Sequence, residues 1–183
     1  MNRKQDLMKQ EASGTEGLGG WLILPLLGLI LQPFILGMLL YDTYLPIFTE
    51  GYWEILTSPE SEAYHQLWGP LIIFELVGNI GFMLFALVLL VFFFRKDYRV
   101  PGWIILYLAS NAIFVTADFF LADLIPAVAA NPDPAATKEM VQTIIGAAIW
   151  IPYFKKSERV KNTFVKGRKS ADLSEPQGFD RIG

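Results

Sequence analysis

The chain has 183 residues, no cysteine, one histidine, a formal net charge of -3 and a hydrophobic fraction of 53%. Without cysteine it can form no disulfide, thiolate metal site or cysteine nucleophile, and His65 alone cannot make a multi-histidine metal or haem site. The net charge conceals a partition: fourteen of the fifteen Lys and Arg residues fall within residues 1–19, 95–100 and 155–183, with long apolar runs between or beside them, a pattern of membrane topology and not of a soluble surface.

Residues 1–19 read as a cytoplasmic leader, carrying Arg3, Lys4 and Lys9 among Ser13, Gly14, Gly17 and Gly19. The first apolar run, Trp21–Tyr41, holds enough residues to cross a hydrocarbon layer of roughly 30 Å. Trp21 marks its cytoplasmic interface, and Tyr41 and Tyr44 mark the outer one. The run is too long for a cleaved signal peptide and lacks a small-residue cleavage pattern before its tyrosines. Pro33, beside Gln32, removes an internal hydrogen bond and should bend this helix, while Gly28 and Gly37 offer places for close approach.

The outer segment 42–69 contains no Lys or Arg, but has Asp42, Glu50, Glu54, Glu60 and Glu62 and aromatic side chains throughout. Ser58–Pro59 reads as a helix start, with Tyr64, Leu67 and Trp68 on one face of the helix that follows. This segment is expected to lie in the outer headgroup layer and cover the bundle; the alternative is a partner-binding face. Leu71–Phe94 and Trp103–Leu124 form the second and third spans, joined by the basic Arg95–Arg99 turn and Pro101–Gly102. A second outer turn, Pro126–Pro134, precedes the shorter fourth run, Met140–Phe154, whose start is more polar at Gln142 and Thr143.

Residues 155–169 suggest a basic interfacial helix, with Val160, Phe164 and Val165 as its apolar side and its cations on anionic lipid headgroups. Residues 170–183 read as a flexible tail. Four crossings with this charge bias place both termini in the cytoplasm. The expected fold is all-α: an integral membrane four-helix bundle over residues 20–154, followed by the interfacial C-terminal helix.

Polar residues inside the spans are the candidates for chemistry, since a charged side chain at mid-membrane costs roughly 2.5 kcal/mol or more. Glu75 and Asn79 share a helix face at four-residue spacing, and Asn111 and Asp118 lie close to one face at seven. The opposite directions of spans two and three put Glu75 and Asp118 in the outer half, with Asn79 and Asn111 deeper. Two readings of this polar binding or packing site stay open. The carboxylates bind a cation or share a proton, or they are hydrogen-bonded to Asn, Gln142, Thr143 or backbone and hold the spans together. No catalytic residue is assigned, because no nucleophile, metal cluster or third catalytic group has diagnostic spacing. Nucleic-acid binding is the poorer account of the basic residues, which topology already explains.

The opening Gly19–Gly20–Trp21–Leu22 and the string Trp150–Ile151–Pro152–Tyr153–Phe154, followed by Ser157, Arg159–Val160–Lys161 and Thr163–Phe164, resemble the bacterial membrane proteins grouped as domain-of-unknown-function family 2569. The similarity covers roughly residues 17–165. It implies a four-helix, multi-pass protein of the bacterial inner membrane, and brings with it no reaction, ligand or cofactor. The functional expectation is an accessory or interaction subunit. It would touch anionic lipid through its tail and a membrane-protein partner or a second copy through its surface. The alternative is an ion or small-molecule transport component using an outward-facing polar crevice. A lipid-acting enzyme is the third reading, weakened by the lack of a reaction centre.

Overall fold

The computed structural model describes residues 17–166; most of the expected leader, residues 1–16, and the expected tail, 170–183, lie outside the described residues. Backbone polar groups within a bilayer must be satisfied by the chain itself, and the apolar runs accordingly form long helices. Helix α1, Ile23–Leu39, is entered through a 3-10 turn at Gly20–Leu22 and continues through a π-helical turn, Leu40–Tyr44, into α2, Leu45–Thr49. Gly51, at φ 83°, reverses the chain into α3, Tyr52–Thr57. Helices α4, Trp68–Phe94, and α5, Val100–Ala122, form a hairpin. The short α6, Pro126–Ala129, leads to α7, Pro134–Lys156, and then α8, Glu158–Thr163. The Asp133 carboxylate accepts from the Ala135 amide at 2.8 Å and caps α7, while Pro134 fills the first-turn position where a missing N–H costs nothing.

Three helices, Gly20–Thr49, Trp68–Phe94 and Val100–Ala122, are long and apolar enough to cross a membrane. Helix α7 equals α5 in length at 23 residues, but Lys138, Glu139, Gln142 and Thr143 make its first half polar. The main packing runs in a row, α1 against α4, α4 against α5 and α5 against α7. Large side chains such as Phe34, Met38, Val77, Ile113 and Ile149 point outward and are exposed. A continuous surface of this kind would aggregate in water and is suited to lipid contact. The fold is therefore an all-α, multi-pass membrane fold.

The tightest packing lies at one end, where Leu22, Leu89, Phe93, Val100 and Val160 are almost wholly buried. There the α4–α5 turn is fixed by Arg99, whose side chain pairs with both Asp97 oxygens at 3.0 Å. This holds the Asp97 carboxyl below its ordinary pKa. Residues after α8 return to the same turn: the Lys166 amide donates to the Lys96 carbonyl and the Tyr98 amide to the Lys166 carbonyl, each at 3.1 Å. The Thr163 hydroxyl accepts from the Gly17 amide and donates to the Gly17 carbonyl, both at 3.2 Å. The segments entering α1 and leaving α7 thus meet at one end of the molecule.

Two local expectations differ from the structure. No helix starts at Ser58–Pro59; α3 ends there, because a residue before proline is driven out of the helical region, and Ser58 sits at φ -83°, ψ 127°. Val160 and Phe164 do not present an apolar side to lipid. Both are buried, Phe164 against the Phe93 ring at 5.0 Å, while Val165 is exposed. Pairing of residue 166 with the α4–α5 turn draws this segment onto protein.

Within the α4–α5 contact, the Phe114 ring occupies the space over Gly78, where an added Cβ would collide with it, whereas Gly81 faces open space. Gly78→Ala is expected to lower stability by about 1–3 kcal/mol through overpacking. Gly81→Ala should be neutral or slightly stabilising, since alanine is the better helix former. Unfolding of the two variants in mild detergent, followed by circular dichroism, checks the difference.

Candidate functional site

The polar site begins with a backbone irregularity. Pro46 supplies no N–H for the Asp42 carbonyl four residues earlier, and its ring crowds that carbonyl. The preceding turn is widened, with the Leu45 amide bonding to the Leu40 carbonyl five residues back. In a regular helix Tyr41 and Tyr44, three residues apart, would share a face. Here Tyr41 is 69% exposed and Tyr44 only 5%. The π turn carries Tyr44 inward onto α4.

Tyr44 then joins the polar residues of α4. Its hydroxyl donates to Glu75 Oε2 at 2.9 Å and accepts from Asn79 Nδ2 at 3.3 Å. Glu75 and Asn79 share a face because they are one helical turn apart. Asp118, near the C-terminal end of α5, lies across the hairpin from Glu75, near enough for each carboxyl group to act on the other. Its Oδ1 is buried and has no hydrogen-bond donor. No Lys or Arg side chain forms an ion pair with either carboxyl group among the described residues. Asp118 also lines a cavity of about 110 Å³ at the α5–α6–α7 end, together with Asp123, Asp133 and Glu139. No group of three or more His, Cys, Asp or Glu residues is arranged to hold a metal ion among the described residues.

Glu75, Asn79 and Asp118 are thus brought together, and Asn111 is not part of their hydrogen-bonded group. Asn111 lies two turns along α5 from Asp118, about 10 Å at 1.5 Å per residue. It lines a different cavity, of about 220 Å³, between α1, α5 and α7. The sequence reading missed Tyr44, taking it for a headgroup-layer aromatic. The signal for its inward position was Pro46, which disturbs the phase of the helix just there.

The signature residues have a structural use at the opposite end. Arg159 packs over Gly20, with its Cζ 3.2 Å from where a Cβ would stand, and Gly20 has φ +62°, so glycine is favoured there twice over. Ser157 caps α8 by accepting from the Val160 amide, Lys161 pairs with Glu158 at 2.7 Å, and Thr163 holds Gly17. Trp150 and Tyr153 meet edge to face at 5.5 Å, and Pro152 sits inside the last turns of α7. Trp21 is exposed beside this assembly.

A family model described as protein of unknown function (DUF2569) matches residues 15–165. The chain is similar to the protein of Escherichia coli (strain K12) called Inner membrane protein YdgK. The two are 28% identical over 156 residues, 81% of this chain and 93% of that protein. No solved structure matches the chain.

Tyr44→Phe removes the hydroxyl that joins Glu75 to Asn79 while keeping the ring. A stability loss of about 1.5–3 kcal/mol is expected, the range for a hydrogen bond to a charged group, and Tyr41→Phe should change little. Thermal unfolding of both variants in the same detergent checks this contrast.

Proposed function

This chain belongs to the DUF2569 family, and we propose that it is a four-span bacterial inner-membrane protein that binds a proton or a monovalent cation at the Glu75–Asp118 pair as an accessory subunit of a membrane assembly. The observation that carries this reading is the pair itself: two carboxyl groups side by side within the spans, with no basic partner among the described residues. Two ionised carboxylates that act on each other repel strongly in a medium that screens poorly. A shared proton or a bound cation removes the repulsion. Tyr44 holds Glu75 in place and is itself held by Asn79, as a binding group requires, and an acidic cavity borders Asp118. A path through the whole bilayer needs more helices than one copy supplies, so a partner or a second copy belongs to the proposal.

In this reading α7 is the fourth span, both termini are cytoplasmic, and α3 with its neighbouring aromatics lies in the outer headgroup layer. The meeting of Gly17 with Thr163 supports an even number of crossings, and the Lys/Arg bias supports the direction. The domain plan follows: a leader to residue 19, the membrane unit 20–154 and a basic segment 155–169 at the cytoplasmic surface.

The absence of cysteine from the sequence makes the topology directly testable. Single-cysteine variants Glu60→Cys and Asn131→Cys should react with an impermeant maleimide in intact spheroplasts, whereas Lys96→Cys and Lys161→Cys should react only after permeabilisation. Labelling of Lys161→Cys in intact spheroplasts, together with Asn131→Cys, would refute the fourth span.

Infrared absorption of the purified protein at neutral pH tests the site. A protonated-carboxyl band lost in both Glu75→Gln and Asp118→Asn supports a shared proton, and a sodium- or potassium-dependent rise in Tm lost in the same variants supports a cation. Neither signal in the wild-type protein would reject the binding site.

A further inference from the structure

The row of helices leaves α1 and α7 at its two ends, and the cavity of about 220 Å³ lies between them, floored by α5. Its polar lining sits at mid-depth. Gln32 is near the middle of the first spanning helix, Asn111 at the centre of α5 and Thr143 near the centre of α7. Asn111 is therefore about 16 Å from either end of its helix. Among the described residues the side chains of Gln32, Asn111 and Thr143 have no hydrogen-bond partner in the protein. Tyr107 also lines the cavity, but its ring packs against Phe82 and Phe85 and its hydroxyl is buried out of reach of the cavity. Each such group in hydrocarbon costs on the order of a few kcal/mol. Three on neighbouring faces, those of Gln32, Asn111 and Thr143, point to an occupant that supplies the missing hydrogen bonds.

The lining limits what that occupant is. No charged residue contributes to the cavity, so an ionised headgroup would find no counter-charge. The amides of Gln32 and Asn111 and the hydroxyl of Thr143 can all donate, so a ligand that presents acceptors is matched. Trp150 adds an aromatic wall. The volume exceeds the roughly 30 Å³ share of one water, yet falls short of the roughly 300 Å³ at which drug-sized pockets begin. It suits a head group whose tail remains in the lipid. Gly28 and Gly146 keep the walls low, with nothing within 4 Å of where either Cβ would stand.

We propose that the cleft between α1, α5 and α7 binds the head of an uncharged, membrane-dissolved lipophile whose carbonyl or ester oxygens accept hydrogen bonds from Gln32, Asn111 and Thr143. An isoprenoid quinone and a diacylglycerol both present this chemistry. The cleft includes neither Glu75 nor Asp118, so it and the carboxyl pair can fail independently.

The test uses the full chain in phosphatidylcholine nanodiscs, titrated separately with decylubiquinone, dioctanoylglycerol and decylbenzene, with Tm and native mass spectrometry as readouts. Saturable binding of the quinone or of the glyceride, with none of decylbenzene, is the expected result, and whichever saturates identifies the source. Gly28→Leu and Gly146→Leu fill the cleft from opposite walls and should each weaken binding at least about tenfold, as should Asn111→Leu. Any one of them that keeps its helical circular dichroism suffices for the comparison. Binding of decylbenzene as tight as that of the carbonyl ligands, no saturable binding of either carbonyl ligand, or unchanged affinity in a folded glycine variant would overturn the proposal.

Discussion

The Thr163 hydroxyl, bonded to both the amide and the carbonyl of Gly17, is the centre of a clamp on which the arrangement of the helices depends. Around it Arg159 lies on Gly20, Phe164 on Phe93 and Lys166 on the α4–α5 turn. Three chain segments that are remote in sequence are thereby held at one level. Lipid cannot do this, because hydrocarbon does not drive one apolar helix against another. Association inside a membrane relies on close packing and hydrogen bonds, and both are concentrated at this end.

The other end is organised by polar chemistry. Pro46 forces the π turn, the turn brings Tyr44 inward, and Tyr44 ties the first span to Glu75 and Asn79 on α4. A single proline therefore determines whether Glu75 has a neutral donor or faces Asp118 alone. The two ends contrast in kind: one is well packed around large apolar side chains, and the other retains a buried carboxylate oxygen without a donor. A site that must take up and release a small charged species needs that second character.

The helical, multi-pass nature of the fold was legible because hydropathy over about 20 residues is a direct physical requirement of the bilayer. Helix spacing also placed Glu75 and Asn79 on one face, and opposite span directions placed Glu75 and Asp118 at a similar depth; whether the two faces meet was not legible, since the sequence does not fix helix rotation. Tyr44 was not, because a π turn changes helix phase without altering hydropathy. Asn111 was grouped with the carboxylates because rotation about a helix axis is only loosely fixed by a seven-residue interval. Val160 and Phe164 have the composition of a lipid-facing stripe; what turns them inward is backbone pairing at Lys96 and Lys166, which involves no distinctive side chain. The signature string was visible as a string, but its purpose depends on meeting Gly17–Gly20.

The clamp also has a consequence for biosynthesis. Gly17 and Thr163 are 146 residues apart, so the contact cannot form until α8 has left the ribosome. Until then the first helix and the central hairpin are in the membrane without the element that fixes their ends. Polypeptides cut short before α8 would lack Thr163 and leave this end of the helices unclosed.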